Sequence, residues 1–155
     1  MTDLYLNDTK KEFYSNALEY AKNCDEPYWR VEPEVVKYLD QINSSLNVRT
    51  MYHKFFKGHI SYLMVCFTEN VEDQVKSNCM QKLKECFVNK RFCMIDAFPQ
   101  PQRIQPASEN YPPCHKYLSD TNYWNINHIK FEFKGDIPDD HKLFWSTLTD
   151  YLSKL

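Results

Sequence analysis

The chain has 155 residues, which favours one domain (1–155), and its net charge of −2 comes without the basic stripe that nucleic-acid binding requires. Its two glycines, Gly58 and Gly135, are too few for a glycine-rich phosphate loop or a dinucleotide fingerprint. Apolar residues make up 43% of the chain, an ordinary globular composition, and no window approaches the ~18 apolar residues of a membrane span.

The first residues, Met1 to Asp8, lack the basic start and apolar run of a secretory signal, so we expect a soluble, cytoplasmic protein. In that reducing compartment its six cysteines are expected to be free thiols. The sequence contains no Cys-x-x-Cys pair, the close spacing that zinc sites usually show, and we predict no metal and no cofactor.

The first predicted element is a helix over about 9–23. Thr9 followed by Glu12 is typical of a capping box, and apolar residues then recur at helical spacing. The aromatic segment 28–31 is β-prone. For 33–45 two interpretations stay open, because Pro33 with Glu34 suits a helix start while the run Val35 to Leu39 also suits a strand.

A hairpin follows, with strands at Val48 to Phe56 and His59 to Phe67. Lys57-Gly58 is the expected two-residue turn, since glycine at its second position accepts a positive φ. Both faces of the second strand are apolar, which predicts a central strand covered on both sides.

Asn70 is the expected cap of the next helix, and a strand is predicted from Arg91 to Phe98. The buried stripe predicted for this helix contains Val71, Val75, Cys79, Leu83, Cys86 and Phe87. Five cysteines are predicted to be small buried side chains: Cys24, Cys66, Cys79, Cys86 and Cys93.

A long irregular stretch is predicted from Pro99 to about Asn127, and loops of this length in small domains are often functional. A strand at His128 to Phe133 and a last helix from about Pro138, capped by Asp136, complete the chain. The fold class predicted from this order is α+β, a mostly antiparallel sheet with flanking helices.

Cys114 lies in the proline-rich stretch and is the candidate nucleophile. His115 and Lys116 follow it directly, and nearby cationic groups favour the reactive thiolate. A cysteine-protease interpretation would need a base such as His128 or His141, but the family signatures of such enzymes are missing around Cys114.

The order of features resembles the autophagy conjugating enzymes, which are similar to ubiquitin-conjugating enzymes and transfer ubiquitin-like modifiers. Beyond an N-terminal helix, the resemblance rests on Tyr28-Trp29-Arg30, Met51-Tyr52-His53, the strand Tyr62 to Phe67, Pro112-Pro113-Cys114, and the helix segment Phe144 to Leu148. The sequence departs from that family at Pro112, which stands where the family has a histidine. The strand at His128 to Phe133 is not clearly accounted for by the resemblance.

The resemblance implies a ubiquitin-conjugating-enzyme-like fold and a thioester between Cys114 and a modifier, followed by transfer to a lysine. Asn110, Tyr111 and also Asn122 are the nearest candidates for positioning the lysine or the oxyanion, although asparagine is a common turn former as well. The implied partners are an activating enzyme, the modifier and an acceptor protein. The alternative is a non-catalytic interaction module or a subunit of a larger assembly, which the 15% aromatic content also suits.

Overall fold

The structure is a computed structural model that describes residues 4–23, 30–87, 92–93, 100–104 and 124–155. Its elements in chain order are α1 (Asp8–Lys22), α2 (Pro33–Asn43), β1 (Val48–Lys57), β2 (Ile60–Phe67), α3 (Asp73–Cys86), β3 (Phe92–Cys93), β4 (Gln100–Ile104), β5 (Trp124–Lys134) and α4 (Pro138–Leu152). Every strand pairing within these ranges is antiparallel, so the predicted α+β class with a mostly antiparallel sheet is confirmed.

Helix α1 begins one residue before the predicted start, and its cap differs from the expected one. Asn7 is the N-cap residue, and its side-chain oxygen accepts a hydrogen bond from the backbone N–H of Lys10 at 2.8 Å. Thr9 therefore lies inside the helix and the predicted capping box is wrong. Asparagine is as good a cap as threonine or better, so a local preference decided the boundary.

The open alternative for 33–45 is resolved as helix α2, with Pro33 in the first turn. Val35, Leu39 and Ile42 are fully or almost fully buried, and their spacing of four and three residues places them on one helical face. Burial of that face outweighs the strand preference of the β-branched residues, because intrinsic propensity is weak beside tertiary packing. The described residues of the aromatic segment, 30 and 31, are not in a strand.

The predicted hairpin is present as β1 and β2, but its turn is shifted by one residue. Lys57 pairs with Ile60, so the two-residue turn is Gly58-His59, with φ of 59° and 65°. Glycine thus occupies the first turn position, where we had placed it second. Positive φ at both turn residues is the signature of a type I′ turn, whose twist suits a hairpin.

The sheet has the order β1-β2-β5-β3, and β4 also pairs with β5. Strand β2 lies between β1 and β5, which confirms that it is central, whereas β1 is at one end of this order. Strand β5 runs from Trp124 to Lys134, so it begins four residues before the predicted strand. The stretch predicted as irregular contains β4, in which Pro101 is tolerated because edge strands can spare one N–H donor.

Two other helix starts also differ from the expectation. Helix α3 begins at Asp73 with Glu72 as its N-cap residue, so Asn70 does not cap it. Helix α4 begins at Pro138 with Ile137 as N-cap, so Asp136 does not cap it. Neither N-cap side chain makes a capping hydrogen bond.

The main core lies between one face of the sheet and helices α2, α3 and α4. Alternate strand residues face it, among them Leu63 and Val65 of β2 and Phe131 of β5, all fully buried. Trp145 of α4 lies at its centre with no exposed surface, and its Nε1 has no hydrogen-bond partner in the described part of the chain. A buried N–H donor without a partner costs free energy, and the apolar area that the large ring removes from water offsets this cost.

The opposite face of the sheet is covered in part by the first half of α1. A second apolar cluster forms there from Leu6, Phe13, Tyr14, Cys66 and Ile126. The second half of α1 contributes Leu18 and Ala21 to the main core. Helix α1 therefore contacts both apolar clusters.

Candidate functional site

The predicted catalytic residues Cys114, Asn110 and Tyr111 lie between β4 and β5 in the sequence, outside the described residues. The strands that bound this segment are described, and Ile104 at the end of β4 is the direct partner of Trp124 at the start of β5. Cys114 is ten residues from each of them along the chain. The two ends of the segment are therefore held side by side at one end of the sheet.

The second apolar cluster supports that end of the sheet. Ile126, the third residue of β5, is fully buried in it together with Cys66 of β2. The chain before α1 is attached there as well, because the backbone N–H of Leu6 donates to the carbonyl of Phe67 at 2.9 Å. The end of the sheet that bounds the Cys114 segment is therefore supported by a packed apolar cluster.

Three free cysteines have described side chains, and two of them are buried. Burial raises the pKa of the Cys66 thiol, and it raises the pKa of Cys79 to about 12. Since the thiolate is the nucleophilic form, neither cysteine is suited to covalent chemistry near neutral pH. Their prediction as buried small side chains is confirmed.

The prediction that Cys86 is buried is wrong, because Cys86 is exposed at the end of α3. Leu83 and Phe87 occupy the buried side of the last turn, and Cys86 points away from them. The hydroxyl of Thr147 lies 3.9 Å from its Sγ and donates to it. Cys24, Cys93 and Cys114 have no described side chain.

A buried serine–histidine contact connects β2 with α4. The Oγ of Ser61 lies 2.7 Å from Nδ1 of His141, and Nε2 of His141 lies 2.8 Å from the carbonyl oxygen of Gly135. A carbonyl only accepts, so Nε2 carries the hydrogen, and in the neutral ring Nδ1 accepts from the Ser61 hydroxyl. Ser61 in turn accepts from the backbone N–H of Phe56 at 3.0 Å.

Ser61 and His141 have no exposed surface, so a substrate has no access to the serine oxygen. Every polar atom of the pair has a partner, which is the arrangement of a structural contact. We assign the pair to the scaffold. Sequence reasoning missed it, because 80 residues separate the partners and no local pattern joins them.

Strand β5 also carries a polar row on the face away from the main core. His128 and Glu132 are buried there, and the Nδ1 of His128 and one carboxylate oxygen of Glu132 have no partner within the described residues. Between them, the Lys130 ammonium lies 4.6 Å from the centre of the Tyr62 ring. Sequence reasoning predicted the strand from its apolar alternation and considered His128 only as the base that a cysteine-protease interpretation would need.

The described ranges contain no group of three or more His, Cys, Asp or Glu side chains that could hold a metal ion. Among the helices in those ranges, none has both the length and the apolar character needed to cross a lipid bilayer.

Comparison with known proteins gives no relative from which a role could be transferred to these residues. No family model, no curated protein and no solved structure matches this chain.

Proposed function

We propose that the chain carries a ubiquitin-like modifier as a thioester on Cys114 and transfers it to a lysine of a partner protein. The observation that carries the proposal is the pairing of Ile104 with Trp124, which holds both ends of the Cys114 segment at one supported end of the sheet. The resemblance to the autophagy conjugating enzymes supplies the chemistry. Free thiols persist in the cytoplasm, which is the compartment we propose.

The proposed reaction has two steps. The Cys114 thiolate attacks the thioester that joins the modifier to its activating enzyme, a new C–S bond forms, and the thiolate of the activating enzyme leaves. A lysine amine of the acceptor then attacks the new thioester, an amide bond forms, Cys114 leaves as thiolate and the amine releases its proton. Asn110 and Tyr111 are proposed to stabilise the oxyanion or to position the lysine.

The other described thiols are consistent with this choice of nucleophile. Cys66 and Cys79 are buried and their raised pKa keeps them protonated. Cys86 is exposed but lies at the end of α3, in none of the segments that carry the resemblance. It therefore serves as the matched control for cysteine substitutions.

The test is incubation of the protein with an activating enzyme, a ubiquitin-like modifier and ATP, followed by a gel with and without reductant. We expect a band that reductant removes in the wild type and in Cys86→Ser. Cys114→Ser should give a band that resists reductant, because an alkoxide is a poorer leaving group than a thiolate. Cys114→Ala should give neither band, and a wild-type band in this variant would refute the proposal.

Substitution of the two flanking residues separates loading from transfer. Asn110→Ala and Tyr111→Phe should slow transfer to lysine more than they slow loading, if their side chains act on the second step. Equal rates in both steps would remove these two residues from the proposal and leave Cys114 in place.

The second candidate is a non-catalytic interaction module. The observation that favours it is the position of β5, which pairs with the central strand β2 along seven residue pairs although the resemblance does not clearly account for it. In addition, the contact between Ser61 and His141 is fully buried. A partner that binds Cys114→Ala as tightly as wild type, with no modifier band in either protein, would select this candidate.

A further inference from the structure

The turn between β1 and β2 has an unusual backbone. Phe56 of β1 has φ of 52°, in the left-handed region that bulky residues rarely adopt, whereas the positive φ of Gly58 and His59 belongs to the type I′ turn. Such conformations persist only where surrounding contacts hold them, and they concentrate at sites that switch. The contacts between this turn and the start of α4 therefore decide whether the turn keeps this conformation.

We call these contacts the His141 latch, which consists of Phe56, Ser61, Gly135 and His141 together with the backbone carbonyl of His59. The Phe56 N–H donates to Ser61 Oγ, Ser61 lies 2.7 Å from His141 Nδ1, and His141 Nε2 lies 2.8 Å from the Gly135 carbonyl. The Gly135 N–H donates back to the carbonyl of His59 at 3.0 Å. The latch thus joins the hairpin turn to the start of α4.

The latch is complete only while the imidazole is neutral. Nε2 is committed to a carbonyl, so Nδ1 must accept the Ser61 hydroxyl hydrogen for that hydrogen to be bonded. Ser61 has no exposed surface, so water does not replace the lost acceptor. An unpaired buried donor is costly.

The contacts that surround the imidazole are uncharged. The rings of Phe56 and Phe133 lie edge-to-face with it, at centroid distances of 4.3 and 4.9 Å. On the surface beside the turn, His59 Nδ1 and Asp136 Oδ1 are 3.1 Å apart. The charged residues on the elements that carry these contacts are Arg49, Lys54 and Lys57 of β1, Lys130, Glu132 and Lys134 of β5, and Asp139, Asp140, Lys142 and Asp150 of α4, and the other histidines on them are His53 and His128.

We propose that the His141 latch is a proton-operated switch, in which protonation of His141 releases the β1–β2 turn from α4. When the turn opens transiently, Nδ1 takes a proton from solvent and becomes a donor, so the Ser61 hydroxyl has no acceptor in the closed state. The charge then lies between the rings of Phe56 and Phe133, and a charge held among apolar groups is costly. Opening the turn lets both groups reach water and relaxes the left-handed backbone at Phe56.

The experiment is an NMR titration of the full ¹⁵N-labelled chain from about pH 8 to about pH 5, the range in which histidine side chains change charge. The ring nitrogens of His141 report its protonation, the Phe56 amide reports the turn, and the Leu63 amide reports the sheet. As His141 becomes protonated, we expect the exchange protection of Phe56, corrected for intrinsic rates, to fall by about tenfold or more. Protection of Leu63 should stay within about twofold.

Three results would overturn the proposal. The ring could become protonated with Phe56 protection unchanged, it could stay neutral throughout the range, or Phe56 and Leu63 could lose protection together, which is global unfolding. Two variants, Ser61→Ala and His59→Gln, test the latch further. Ser61→Ala should leave Phe56 unprotected already at pH 8, and a pH-dependent Phe56 amide in that variant would contradict the latch.

The matched control is His59→Gln, which removes the surface contact with Asp136 and leaves the latch in place. We expect the wild-type pH dependence at Phe56 in this variant. Loss of the pH dependence would assign the switch to the surface pair and refute the role of His141.

Discussion

Leu63 lies at the middle of the central strand with no exposed surface, so a substitution there tests directly whether this strand is buried. Leu63→Asp should lower the free energy of unfolding by more than about 3 kcal/mol, because an unpaired carboxylate would be buried in the core. Leu46→Asp is the matched control, since Leu46 is 77% exposed and the change there should stay within about 0.5 kcal/mol. Denaturant unfolding measures both, and equal losses would refute the placement of Leu63.

The described thiols should fall into two reactivity classes. Cys66 and Cys79 should react slowly with an alkylating reagent in the native protein, because they are buried and protonated, while exposed Cys86 reacts quickly. Mass spectrometry of peptides from a timed reaction gives the three rates. All three should become fast in denaturant, and a slow Cys86 in the native state would contradict its exposed position.

The raised pKa of Cys79 also predicts a loss of stability in alkali. The folded-state pKa is about 12 against 9.0 for the free thiol, so the folded protein holds a proton that the unfolded chain has released. This contribution is fully present below pH 9.0 and is lost as pH rises toward 12. In Cys79→Ala, the slope of unfolding free energy in that window should be shallower by up to about 1.4 kcal/mol per pH unit. Identical slopes in both proteins would contradict the shift.

At the scale of elements, helix α4 allows a buried leucine to be compared with an exposed one in the same helix. Leu148 is fully buried and Leu143 is 43% exposed. Leu148→Ala should cost ~2–5 kcal/mol of unfolding free energy, because it removes packed atoms and leaves a cavity. Leu143→Ala should cost less than about 1 kcal/mol. Similar losses in thermal unfolding of the two variants would show that the helix does not pack as described.

Helices and long strands were predictable from the sequence wherever apolar spacing was regular, as in α1, β2 and α4. The segment that became α2 was not, since Val35 to Leu39 satisfies both a helical and an extended pattern and only its packing decides. The predicted caps Thr9, Asn70 and Asp136 were wrong. Asn7 caps α1 with its side chain, whereas α3 and α4 begin after Glu72 and Ile137 without a capping side chain, so the backbone path and not a polar residue sets those two starts.

The candidate site shows where sequence reasoning reaches its limit. Cys114 could be singled out from its neighbours Pro113 and His115, and its role stays a prediction. The latch residues Ser61 and His141 could not be paired from the sequence, because their contact depends on the register between β2, β5 and the start of α4. Contacts across such a distance in the chain carry no local signal.

At the scale of the whole molecule, the sheet is assembled out of chain order. Strand β2 ends at residue 67 and its inner partner β5 begins at residue 124, with α3, β3 and β4 between them. The β1–β2 hairpin involves only near neighbours and forms at low entropic cost, whereas the β2–β5 pairing must close a long stretch of chain. We therefore expect β5 docking to limit the folding rate.

This order has a consequence during synthesis. Until residue 134 has left the ribosome, the edge of β2 that later pairs with β5 presents unpaired backbone groups flanked by the apolar side chains of Leu63, Val65 and Phe67. Such an edge is a template for pairing with another chain. A chain that ends at residue 123 should therefore aggregate at concentrations where the full chain stays monomeric, which light scattering measures. A monomeric fragment with an intact hairpin would show that the edge of β2 does not need β5 to prevent aggregation.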